Sequence, residues 1–187
     1  MTGRMSSDQY GRAKVIPPVV MLALIAVGLG VIDGVLPRPL PFMKTGLANV
    51  VTVMVAFRMG TTRALSVNLL RVIAVALFLG SVATPSFPMS LAGGVSSALV
   101  MGLLARTARG FLSVTGISVA GSMASLSAQL SVALLFIRGI PVVSIVIPLA
   151  VWGVLSGSVT GLLAALLLRR KFLERAPFGL VPDASGG

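Results

Sequence analysis

The 187-residue chain is 56% apolar, only 10% charged and has a mean hydropathy of +1.05, which leaves too little polar surface to cover a soluble globule and places the chain in lipid. Its formal charge of +11 would suit nucleic acid in a soluble protein, but the cations lie between and beyond the apolar runs, with no basic stripe and no interleaved aromatics, so nucleic acid is excluded as a partner. With no cysteine, disulfides, thiol catalysis and Cys-ligated metals are excluded as well.

In chain order, residues 1–14 hold Arg4, Asp8, Arg12 and Lys14 and are expected to be an unstructured cytoplasmic tail. The apolar run 15–36 is too long for a signal-peptide core, and Asp33, Arg38 and prolines stand where a cleavage site would need small residues. It is expected to be an uncleaved first span. The stretch 36–49, LPRPLPFMKTGLAN, is the least lipid-like part of the middle of the chain. Pro37, Pro39 and Pro41 force an extended path that breaks the first helix and presents Arg38 and Lys44 from a stiff connector. Thr45, Asn49 and Thr52 then share one face of whatever helix follows.

Further apolar runs cover 46–57, 64–80, 88–105, 111–137 and 142–168. A helical span takes about 20 apolar residues, so about six spans are expected, forming one membrane domain over 15–171 and followed by a disordered cytoplasmic tail at 172–187. The 46–57 run is short for a span, which predicts an irregular segment buried against protein. Eleven of the fifteen Lys and Arg fall on the side of the amino terminus when spans alternate, and only Arg38, Lys44 and Arg138 on the other. Both termini are therefore expected in the cytoplasm.

Small residues recur every four positions: Ala26, Gly30, Gly34; Gly94, Ala98, Gly102; Gly116, Ala120, Ala124, Ala128; Gly153, Gly157, Gly161. Such rows let membrane helices pack backbone to backbone. Internal packing is the ordinary reading, and docking of a separate membrane subunit by Ala26, Gly30 and Gly34 is the sharper one.

Arg71 is the one cation inside a span, about 13 Å from either end by helical rise. Exposure to acyl chains would cost about 3 kcal/mol or more, so it is expected to face the bundle interior, a partner or an anion. Asn68 lies one turn earlier on the same face. Asp33 is the one acid within a span and could either pair with Arg71 or leave it to a ligand. Gln129 continues a stripe with Ser118, Ser122 and Ser125, read first as interhelical hydrogen bonding. Trp152 is read first as core, and second as a stacking surface for a flat ligand. The four acids are scattered singly and histidine is absent, so magnesium-dependent diphosphate chemistry finds no carboxylate cluster. There is also no GxxxxGK[ST] loop to bind ATP. No enzymatic activity, cofactor or metal is expected.

The segments Leu36-Pro-Arg-Pro-Leu-Pro-Phe, Lys44-Thr-Gly-Leu-Ala-Asn49, Asn68-Leu-Leu-Arg71 and Ser90-Leu-Ala-Gly-Gly94 together resemble the bacterial membrane family labelled both Gx transporter and heptaprenyl diphosphate synthase component I. The resemblance covers about residues 17–168. The family is in turn similar to the S components of energy-coupling factor transporters, six-helix proteins that capture micronutrients. In the fifth span the family tends to read His-Asn before a Gln; here Ser125-Leu126 precede Gln129.

The resemblance implies an all-α integral membrane protein of the bacterial cytoplasmic membrane. It would bind a small polar or anionic metabolite in an outward cavity lined by Asp33, Arg38, Lys44, Asn49, Asn68, Arg71 and Gln129. Its partners, beyond the lipid bilayer and that small-molecule substrate, would be a membrane coupling subunit and ATPases. The alternative is a non-catalytic membrane component beside the catalytic subunit of a prenyl synthase.

Overall fold

A computed structural model describes residues 18–35, 46–108, 110–136 and 142–169. They form α1 (Pro18–Val35), α2 (Leu47–Met59), α3 (Thr61–Phe78), α4 (Ser86–Thr107), α5 (Val114–Phe136) and α6 (Val142–Arg169), and no strand occurs among the described residues. The expected amino-terminal tail, the proline connector with Arg38 and Lys44, and the carboxy-terminal tail lie outside them. Each of the six apolar runs is one helix. In lipid every backbone N–H and C=O must be satisfied within the segment, and helices do that.

Four helices, α3 to α6, are long and apolar enough to cross a membrane. The chain is a helical membrane protein. Its exposed surface carries the large apolar side chains, among them Leu24, Leu77, Phe78, Leu103 and Leu135, while Asp33, Thr52, Asn68, Ser97, Ser118, Ser122, Gln129 and Thr160 are buried. A water-soluble globule has the reverse distribution.

The short second run is a regular helix, which corrects the irregular segment expected there. Its VVTVMV sequence is rich in β-branched residues, which favour strands in water, but a lone strand at membrane depth would leave its backbone unpaired. Burial was foreseen: Ala48 and all of residues 50–56 are buried, and α2 packs against all five other helices. About 20 Å long by helical rise, it is the central post of the bundle. Around it α1 packs on α3, α3 on α4, α4 on α5 and α5 on α6.

Glycine sets both ends of α2. Gly60, at φ 89° and ψ 174°, forms the whole link to α3, a conformation closed to other residues. Gly46, at φ 76°, lets the chain pass α6 where a Cβ would lie 2.7 Å from Ser156 Oγ. Two of the small-residue rows form internal seams. At Gly157 and Gly161 a Cβ would fall 2.7 and 2.6 Å from the Cα atoms of Val119 and Thr115, so α5 and α6 touch backbone to backbone. Gly94 and Gly102 face Asn68 and Thr61 of α3.

Candidate functional site

Between α1, α2, α3, α4, α5 and α6, toward the end of the bundle away from Gly60, lies a cavity of about 120 Å³. Its wall includes Asp33 of α1, Asn49 of α2, Arg71 of α3, Ser90 and Gly94 of α4, Ser122, Ser125 and Gln129 of α5, and Trp152 and Ser156 of α6. Ser81, Ser86 and Phe87 line it near the α3–α4 connection. Polar atoms from six helices therefore converge on one space.

Arg71 is positioned by two neighbours. Its Nη1 donates a hydrogen bond to Asn49 Oδ1 at 3.2 Å. Its stem lies across Gly30, where a Cβ would be 3.4 Å from Arg71 Cγ and 2.8 Å from Val75 Cγ2. The glycine thus makes room for the aliphatic part of the side chain. Asp33, almost one turn after Gly30, is 6% exposed and within Coulombic reach of Arg71. The guanidinium faces protein and cavity, as its cost in lipid requires.

Gln129 is held in a similar way. Its Nε2 donates to Ser125 Oγ at 2.9 Å, and it lies against Gly93 of α4, where a Cβ would be 2.7 Å from its Cγ. Besides these bonding atoms the Asn49 side chain carries an NH₂ donor and Gln129 a carbonyl acceptor. Among the described residues the chamber presents donors and acceptors together with the cation Arg71 and the acid Asp33. That set suits a small polar molecule.

Of the residues singled out from the sequence, Asp33, Asn49, Arg71 and Gln129 line this chamber. Asn68 is fully enclosed just behind the wall, and Arg38 and Lys44 lie outside the described residues. Trp152, read first as core, is on the wall. Of the serine stripe, Ser122 and Ser125 reach the chamber and Ser118 does not. Ala26 is fully buried and Gly30 faces Val75 and Arg71, so these two members of the α1 row pack within the chain; Gly34 is half-buried. Sequence reasoning did not single out Ser81, Ser86, Phe87 or Ser156. Helical phase from Trp152 would have pointed to Ser156, one turn on, but the residues at the α3–α4 connection carry no such signal.

A second, open cleft of about 580 Å³ lies at the opposite end, lined by Ala56, Met59, Gly60, Thr61, Thr62, Ala105 and Arg106. Arg58, Arg63 and Arg106 are exposed around it.

The heptaprenyl diphosphate synthase component I family model matches residues 22–167. The chain belongs to this family. The match takes in all of α2 to α5, most of α1 and α6, and every chamber residue named above. No curated protein and no solved structure matches the chain, so the likeness to S components rests on the resemblance alone.

Proposed function

We propose that this member of the heptaprenyl diphosphate synthase component I family is a non-catalytic membrane subunit that binds one small polar or anionic molecule in the α1–α6 chamber. The observation that carries this reading is the placement of Arg71, braced by Asn49 and Gly30, in the chamber wall beside Gln129 and Trp152. A guanidinium at membrane depth serves either a structural pair or a ligand. Asp33 offers the first, and the surrounding amides and hydroxyls support the second.

Two settings suit such a subunit. The family's description favours a membrane component working beside the separate catalytic subunit of a heptaprenyl diphosphate synthase. The second setting is uptake, in which the chain captures its ligand and a membrane coupling subunit with ATPases supplies energy. That setting rests on the chamber. About 120 Å³ accommodates on the order of ten water-sized groups, which suits a small metabolite and is far below a heptaprenyl tail. In either setting the exposed arginines around Gly60 mark the cytoplasmic face by the positive-inside rule, and the chamber opens to the other side of the cytoplasmic membrane.

Native mass spectrometry of the gently extracted protein tests the binding reading. A retained small molecule that is lost in Arg71→Ala is the expected result, and an empty chamber in both would overturn it. Activity assays separate the settings. Stimulation of a co-purified prenyl synthase supports the first, and accumulation of the retained molecule in proteoliposomes carrying the coupling subunits supports the second.

A further inference from the structure

Trp152 stands ten residues into α6, about 15 Å from its first residue by helical rise. That depth lies below the headgroup level at which membrane tryptophans ordinarily anchor. On α6 it shares a face with Leu149 and Thr160, which are 3% and 2% exposed, so it belongs to the side that turns into the bundle. Core packing would be the ordinary use of such a residue, but Trp152 lines the chamber.

The chamber has two chemically different parts. Its polar floor is the bonded pair of Arg71 and Asn49. Gly46, three residues before Asn49, passes α6 at Ser156, one turn inward of Trp152. From there α2 and α6 both run toward the Gly60 end, where Phe57 and Met59 pack in one cluster with Leu167 and Leu168. By helical rise Trp152 is therefore about 10 Å outward of Asn49. The wall around Trp152 is apolar. Leu126 of α5 abuts Gly153, where a Cβ would lie 2.6 Å from Leu126 Cδ1, and Leu126 and Phe87 both line the chamber. Behind them Leu126 packs in an apolar cluster with Met89, Ala133, Ile145 and Leu149.

We propose that Trp152 is a specificity-determining residue of the chamber, and that the ligand carries one planar aromatic or heteroaromatic ring with a carbonyl group directed toward Arg71 and Asn49. A planar ring gains offset stacking on an indole that a puckered ring of equal polarity does not. The guanidinium of Arg71 and the NH₂ of Asn49 supply donors for the carbonyl. The chamber volume of about 120 Å³ compares with the roughly 150 Å³ of an apolar cavity that holds benzene, so the space is that of a single ring. The inference rests on the chamber reading and narrows its ligand class.

Trp152 is the one tryptophan of the chain, so its emission reports this position alone. Benzamide and cyclohexanecarboxamide are matched probes, equal in polar group and ring size and different in planarity. Titration of the detergent-solubilised full chain is expected to give a saturable change in emission with benzamide, at a Kd about five- to tenfold below that for cyclohexanecarboxamide. By calorimetry, Trp152→Phe is expected to keep that preference and Trp152→Leu to lose it, with binding of cyclohexanecarboxamide unchanged in both. Equal affinities for the two probes in the wild-type protein, saturable binding of neither, or a preference that survives in Trp152→Leu would overturn the inference. Should melting curves show that Trp152→Leu does not fold, the wild-type probe pair and Trp152→Phe decide it. If native mass spectrometry finds an Arg71-dependent molecule without an aromatic ring, this inference falls and the chamber reading stands; if it finds none, both fall.

Discussion

At the scale of single residues, the proposed binding role of Arg71 turns on the neighbours that hold it. Asn49 takes one of its N–H groups, Gly30 receives its stem, and the side chain lines the chamber. Arg71→Ala is expected to reduce ligand retention at least tenfold with little change in melting temperature. Arg71→Lys is expected to recover only part of it, since an ammonium lacks the planar fork that serves Asn49 and a ligand together. Side-by-side native mass spectrometry and melting curves check both. A collapse in melting temperature with binding intact in the folded fraction would make Arg71 a structural partner of Asp33.

At the scale of elements, glycine sets the distances between helices. Gly161→Ala would drive a Cβ to 2.6 Å from the Cα of Thr115, where backbone must move, and is expected to destabilise by about 1–3 kcal/mol. Gly28→Ala has nothing within 4 Å and is expected to be neutral or to stabilise by about 0.5–1 kcal/mol through helix propensity. Unfolding in a graded SDS series distinguishes the two. Four-residue periodicity disclosed these rows in the sequence, but it could not say which helix each row meets. Gly93 and Gly121 belong to no row and yet sit against Gln129 and Met101. Periodicity also could not give α2 its regularity: its β-branched composition and short length favoured an irregular segment, and enclosure by five other helices determined otherwise.

At the scale of the whole molecule, the arrangement is polarised. Arg58, Arg63 and Arg106 ring the Gly60 end, and the chamber lies toward the other. With no native cysteine in the chain, single cysteines report topology without background. Val82→Cys, at an exposed position by the chamber end, is expected to react with a membrane-impermeant maleimide in intact cells. Thr62→Cys, exposed near Gly60, is expected to react only after permeabilisation. The reverse pattern would turn the chamber toward the cytoplasm and remove the outward-capture setting.

The sequence by itself determined that the chain is a helical membrane protein, where its apolar runs lie, and that Arg71 must turn inward. Those results follow from local quantities: hydropathy, the need to pair every backbone group in lipid, and the cost of a bare charge among acyl chains. Only the tertiary structure decided that Asn49, Arg71, Gln129, Trp152 and the α3–α4 serines share one chamber while Asn68 is enclosed against Gly94 and does not line it. Helix phase names the face on which a residue lies, but which faces meet depends on how six helices cross, and that is settled by packing between positions far apart in the chain.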